Sequence, residues 1–83
     1  MKITVRYFAS VREALGIGSE TVETRAADLG ALRDELIARG EPHAGALARG
    51  KAVRMALDQV MSAESAPLRE GQEVAFFPPV TGG

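Results

Sequence analysis

The sequence contains no cysteine and no tryptophan, and only one histidine. The missing cysteine excludes a disulfide framework, a thiolate nucleophile and the common structural zinc sites. Any sulfur this chain handles must sit elsewhere than on a thiol of its own. Neither sign of charge dominates: ten Lys and Arg stand against eleven Asp and Glu, for a net charge of −1. That balance argues against nucleic acid as the main partner, because phosphate binding draws on clustered basic side chains. No apolar run approaches the length of a membrane span. The opening Met1-Lys2-Ile3-Thr4-Val5-Arg6 has no apolar core of a signal peptide, so the expected compartment is the cytoplasm and no membrane partner is expected.

At 83 residues, 46% hydrophobic and 25% charged, the composition is that of one ordinary globular domain. A chain of this size buries roughly 60–65% of the surface its unfolded form exposes. That suffices for one small core and leaves no room for a deep walled pocket, so a self-contained active site is not expected. The carboxylates are scattered, with no cluster suited to a metal. His43, beside Pro42, reads as a surface residue. Gly16-Ile17-Gly18 reads as a turn, since no strand–loop–helix context with a lysine surrounds it.

Residues 2–9 alternate, with Ile3, Val5 and Tyr7 on one side and Thr4, Arg6 and Phe8 on the other, the signature of a strand. Ser10 and Glu13 have the spacing of a capping box opening a short helix, with Val11 and Leu15 as its apolar pair and Gly16 as its stop. Thr21, Val22 and Thr24 supply the β-branched residues of a second strand over 19–25. The main helix starts at an Asp28 cap and carries Leu29, Leu32, Leu36 and Ile37 as one stripe. Glu35 and Arg39 are spaced to pair on its outside, and Gly40 and Pro42 end it. A helical turn is expected over 44–50. Val53, Met55 and Leu57 then alternate with Arg54 and Ala56, and Asp58-Gln59 turns into a short strand at Val60-Met61. The turn Glu70-Gly71-Gln72-Glu73 leads to a last strand from Val74 to Phe77, which Pro78-Pro79 must end because neither donates a ladder hydrogen bond. Met55 and Met61 read as core and sheet residues, and most arginines as a solvated face. One helical stripe covered by one sheet face is the simplest packing. It predicts an α+β, β-grasp (ubiquitin-like) fold, a mixed sheet on one main helix, over residues 1–77.

Residues 78–83 form an extended C-terminal tail, Pro78-Pro79-Val80-Thr81-Gly82-Gly83. Two prolines hold the chain extended as it leaves the sheet, and six extended residues reach about 20 Å. Without Cβ atoms, Gly82 and Gly83 pass through a narrow slot and let a partner's backbone approach closely. The unhindered carboxylate of Gly83 is suited to attack the α-phosphate of ATP, giving an acyl-adenylate from which a sulfur nucleophile displaces AMP. Gly-Gly alone is a weak signal, since many chains end in glycine; behind a ubiquitin-like body and Phe76-Phe77-Pro78-Pro79-Val80-Thr81 it is much stronger. If Ile3, Val5 and Tyr7 face the helix, Phe8 and Phe77 fall together on the open sheet face, edged by Arg6 and Arg54. Aromatic and arginine anchors of this kind are the usual core and rim of a partner interface.

The segment from Gln72 to Gly83 and the run Tyr7-Phe8-Ala9-Ser10-Val11-Arg12-Glu13 resemble the molybdopterin synthase small subunit family in its C-terminal signature and its first strand and helix. Gln72 stands where that family usually carries Asp, at a turn position without chemical duty. The resemblance implies a sulfur carrier. An adenylating enzyme related to the ubiquitin-activating enzymes would use ATP and magnesium to adenylate Gly83, and a sulfur donor system would convert the adenylate to a thiocarboxylate. The charged protein would dock on the large synthase subunit, in a heterotetramer, and insert its tail. The sulfur would pass to a pyranopterin precursor in molybdenum cofactor biosynthesis. This chain itself would bind no cofactor. Two alternatives share the activation step: a ubiquitin-like protein modifier, and a sulfur carrier for thiamine, tRNA thiolation or cysteine synthesis. A plain binding module with an inert tail is the third.

Overall fold

A computed structural model describes residues 1–79. The order of elements is β1 (Lys2–Tyr7), α1 (Ala9–Leu15), β2 (Ser19–Glu23), α2 (Leu29–Ile37), α3 (His43–Ala46), β3 (Arg54–Leu57), β4 (Val60–Met61) and β5 (Glu73–Phe77). The five strands form one mixed sheet in the order β2-β1-β5-β3-β4. β1 and β5 are parallel neighbours at its centre, and the remaining pairings are antiparallel. This is the β-grasp arrangement expected from the pattern of elements.

The strict alternation of β1 is the reason it can sit at the centre of a one-sided sheet. Ile3, Val5 and Tyr7 are buried, and the residues between them are exposed. Val74 and Phe76 of β5 and Met55 of β3 join them in the core, against Leu29, Leu32 and Leu36 of α2. The Asp28 side chain accepts from the Ala31 N–H at 2.8 Å, so the predicted cap of α2 is present. Gly30, a weak helix former, lies against the loop that follows β4: its N–H donates to the Glu64 carbonyl at 2.9 Å, and the Glu64 side chain packs over the position a Cβ would take.

Asp58 and Gln59 both take positive φ, the twist that a two-residue hairpin turn requires. Gly71 lies at φ +81°, as its turn predicts.

Four local expectations are corrected by tertiary contacts. The capping box at Ser10 and Glu13 does not form: α1 already starts at Ala9, and Phe8 stands at its N-cap without a side-chain cap. Pairing with β5 runs on through Phe8, whose N–H donates to the Phe76 carbonyl at 3.1 Å, so the chain turns at once and the Phe8 carbonyl takes the first helical N–H groups. Glu35 and Arg39 do not pair; Glu35 accepts from the Thr24 hydroxyl and Arg39 reaches Glu20 at 2.8 Å. Arg33 is buried rather than solvated, and His43 is mostly buried rather than a surface residue. In both cases a sheet or loop distant in sequence offers better partners than water does.

Candidate functional site: the open sheet face

The face of the sheet turned away from α2 is built by register. Arg54 stands opposite Phe77, and Ala56 lies between Met61 on one side and Ala75 on the other. Arg6 stands beside Ala75. The structure therefore brings together the four residues expected on this face, Phe8, Arg6, Arg54 and Phe77. Phe8 is 40% exposed, and the Arg6 guanidinium lies over its ring at 5.4 Å from the centroid. A cation held over an aromatic face contributes about 0.5–1 kcal/mol at an exposed site. Arg6 is also 3.7 Å from Glu73, a partly exposed pair of small energetic weight. Phe77 is half-buried, whereas its neighbour Phe76 points into the core and is fully buried.

Met61 belongs to this face, 56% exposed, and reading the residues singly misses it. The signal was present: a two-residue Asp58-Gln59 turn forces Leu57 opposite Val60 and Ala56 opposite Met61. Beyond β5, Pro78 and Pro79 are half-buried. Pro78 lines an open cleft of about 100 Å³ together with Ser10 and Val11 of α1 and Lys51 and Val53 ahead of β3. The remaining expected tail residues, Val80, Thr81, Gly82 and Gly83, lie outside the described residues. Among the described residues no three potential metal ligands cluster, and no helix is long and apolar enough to cross a membrane.

On the core side, a polar knot joins elements that are distant in sequence. Glu20 accepts from the Tyr7 hydroxyl at 2.7 Å and from Arg39 at 2.8 Å, with His43 Nε2 also at 2.8 Å. No sequence spacing announces it, since the partners lie 13 to 23 residues away. Burial tends to raise the Glu20 carboxyl, but the three hydrogen bonds and the Arg39 charge outweigh it and hold the group at about 2, against an ordinary 4.5. Burial, and then the Glu20 carboxylate, push the Tyr7 phenol well up. A depressed carboxyl contributes stability that is present above its unfolded value and lost as pH falls through its folded one. Stability is therefore expected to fall from about pH 4.5 towards pH 2. Glu20→Gln is expected to flatten that part of the curve and to cost about 1–3 kcal/mol at neutral pH. Urea midpoints measured across this range check both; an unchanged acid limb would show that Glu20 does not carry it.

Comparison with known proteins agrees with this architecture. Residues 5–83 match the ThiS family model. The molybdopterin synthase sulfur carrier subunit of Escherichia coli is 42% identical over 81 residues, covering 98% of this chain and 99% of that protein. Among solved structures, the complex of subunits 1 and 2 of molybdopterin-converting factor from Helicobacter pylori contains a chain that superposes with a TM-score of 0.67 at 27% identity, each chain covered in full. The small archaeal modifier protein 1 of Haloferax volcanii, with a TM-score of 0.76 over 95% of this chain and 98% of that one, shares the fold at 20% identity. Sequence and structure together establish that this chain belongs to the ThiS family.

Proposed function

We propose that this chain is the sulfur carrier subunit of molybdopterin synthase. The observation that carries the reading is the 42% identity to a curated sulfur carrier subunit across nearly the full length of both chains. It is supported by the family match, which runs on to Gly83, and by a face whose aromatic and arginine residues suit a protein partner. In this reading a Gly83 carboxylate oxygen attacks the α-phosphate of ATP in an adenylating partner, where magnesium also resides, and pyrophosphate leaves. A sulfur nucleophile from a donor system then displaces AMP to leave a thiocarboxylate. Pro78 and Pro79 direct Val80, Thr81 and Gly82 into the active site of the large synthase subunit. That subunit supplies the catalytic side chains for transfer of the sulfur to the pyranopterin precursor. Arg6, Phe8, Arg54 and Phe77 dock the body. Two such chains sit at the ends of a large-subunit dimer, in the cytoplasm.

Intact mass after incubation with ATP, an adenylating enzyme and a sulfur donor tests the carrier role. The expected gain is that of one oxygen replaced by sulfur, on the C-terminal peptide and lost when Gly83 is deleted. No gain under conditions that charge a known carrier would reject it. A charged chain that passes its sulfur to another acceptor, or that ends joined to lysine amines, would instead select another pathway's carrier or a protein modifier.

Docking has its own test. Phe77→Ala is expected to weaken binding to the large subunit by about tenfold or more, with stability lowered by less than about 1 kcal/mol. If the substitution mainly unfolds the domain, Phe77 belongs to the core and the docking face is elsewhere.

A further inference from the structure

The edge strand β4 stops after Val60 and Met61, and the reason lies outside the sheet. Ser62 still meets β3, its N–H donating to the Met55 carbonyl at 3.1 Å. Two residues on, the Glu64 carbonyl accepts from the Gly30 N–H at 2.9 Å, and the Glu64 side chain pairs with Arg33 at 3.6 Å and with Arg49. Those contacts draw the chain off the sheet towards α2. Between the start of β3 and residues 61–64 they leave an open groove of about 400 Å³. Val53, Met55, Met61 and Ala63 give it a largely apolar lining, and Arg54 and Glu64 are its charged members. The sheet is unfinished along this groove. In an antiparallel strand the backbone groups of successive residues point to alternate sides. The Asp58 N–H donates towards β5, to the Glu73 carbonyl at 2.8 Å, and the Met55 carbonyl accepts from the β4 side. The same alternation turns the N–H and C=O of Val53 into the groove, and among the described residues neither has a backbone partner. An antiparallel segment can exchange both bonds with one such residue, the manner in which a partner strand adds to an open sheet edge.

The charges of the groove describe its occupant. Glu64 is already engaged by Arg33 and Arg49. Arg54 is exposed, and among the described residues no carboxylate lies within ion-pair distance of it. Asp58 and Glu73 stand at the other end of this strand pair, about 13 Å along it from Arg54 and its partner Phe77. Glu73 is besides matched by Arg6 at 3.7 Å. A segment that brings its own carboxylate therefore complements Arg54. The free edge strand of a second copy, β2, fits poorly, because its Glu20 and Glu23 are engaged within their own domain. Arg54 and Met61 belong to the open sheet face as well as to the groove, so the groove continues the docking face at its edge. We propose that an extended segment of the large synthase subunit lies in this groove, exchanging hydrogen bonds with the Val53 backbone and setting an Asp or Glu against Arg54. The inference rests on the reading of this chain as the small subunit, and adds to it how the partner's backbone engages the sheet.

Two measurements on the full chain with the cognate large subunit test the groove. Amide exchange reads the backbone. The Val53 N–H is expected to slow by about tenfold or more on binding, while that of Thr21, on the free edge of β2 at the opposite side of the sheet, keeps its rate. Calorimetric titration reads the space. Ala63→Tyr, at an exposed position that lines the groove, is expected to weaken binding by about tenfold. Arg54→Gln is expected to weaken it by about three- to tenfold and to reduce its dependence on salt. Arg69→Gln, at an exposed position in the loop before β5, provides the control and leaves binding unchanged. Should Ala63→Tyr lower the urea midpoint, the exchange measurement, made on the unaltered chain, decides by itself.

Unchanged exchange at Val53, or wild-type affinity for a folded Ala63→Tyr, together with weak binding by Phe77→Ala, would overturn the groove and leave the docking face standing. No binding by the unaltered chain would overturn both. Slowing at Val53 that follows the concentration of this chain alone would assign the groove to a second copy and overturn the proposal.

Discussion

Phe76→Ala is expected to lower the unfolding free energy by about 3–5 kcal/mol, the cost of truncating a fully buried phenylalanine. A domain of this length is stable by about 4–12 kcal/mol in all, so the variant sits near its folding threshold. Phe76 is at the centre of the core because β5 lies between β1 and β3. Its ring stacks on Tyr7 with centroids 6.2 Å apart. Removing it empties the space beneath both neighbours, and the Tyr7 hydroxyl loses the support that aims it at Glu20. Equilibrium urea unfolding measures the change; a loss below about 1 kcal/mol would mean that the core closes over the gap. The contrast with Phe77→Ala is the informative part. Two adjacent phenylalanines should divide cleanly between stability and binding, because successive side chains of a strand point to opposite faces.

Arg33→Met is the second large expectation, at about 2–4 kcal/mol of lost stability. Arg33 is 4% exposed. Its Nε donates to the Leu47 carbonyl at 2.8 Å, and one terminal nitrogen donates to the carbonyls of Ala48 at 2.8 Å and Lys51 at 3.3 Å. It is thereby the clasp that holds the segment between α3 and β3 against α2. A methionine of similar length fills the space but removes the donor to the Leu47 and Lys51 carbonyls, while the Ala48 carbonyl keeps only the Lys51 N–H at 2.9 Å. Arg33→Lys is not expected to restore them, since a single ammonium cannot reproduce the planar fork. Hydrogen exchange would locate the damage: amides from 47 to 53 should exchange faster, while those of β1 and β5 change little in proportion. Uniform acceleration would indicate global rather than local loosening. Because Lys51 and Val53 line the same open cleft as Pro78, the same variant is expected to loosen the root of the tail.

The pattern of success along the chain has a physical reason. Elements whose evidence lies within a few residues were legible: the alternation of β1, the Asp28 cap with the leucine stripe of α2, the Asp58-Gln59 and Gly71 turns, and the prolines that end β5. Each depends on backbone geometry and on a local apolar period. The open face was legible for the same reason, since alternation assigns Phe8 and Phe77 to it once β1 and β5 are known to be parallel neighbours. The local polar pairings were not. Ser10 with Glu13 and Glu35 with Arg39 have helical spacings, but such pairs contribute only tenths of a kcal/mol to about 1 kcal/mol. A continued ladder bond at Phe8, the Thr24 hydroxyl and Glu20 compete on better terms.

By itself, then, the amino-acid order determined the sequence of elements, the side of the sheet that is apolar, and the Gly-Gly tail that its family resemblance links to sulfur. These follow from periodicity and from the conformational limits of Gly and Pro, which act over one to four residues. Tertiary structure alone decided which polar groups meet. It joined Tyr7, Glu20, Arg39 and His43 into one knot, buried Arg33 over three carbonyls, and gathered Met61, Ala56, Ala75 and Arg6 into one row. A hydrogen bond or a cross-strand contact depends on where folding brings its partners, and their distance along the chain carries no trace of it.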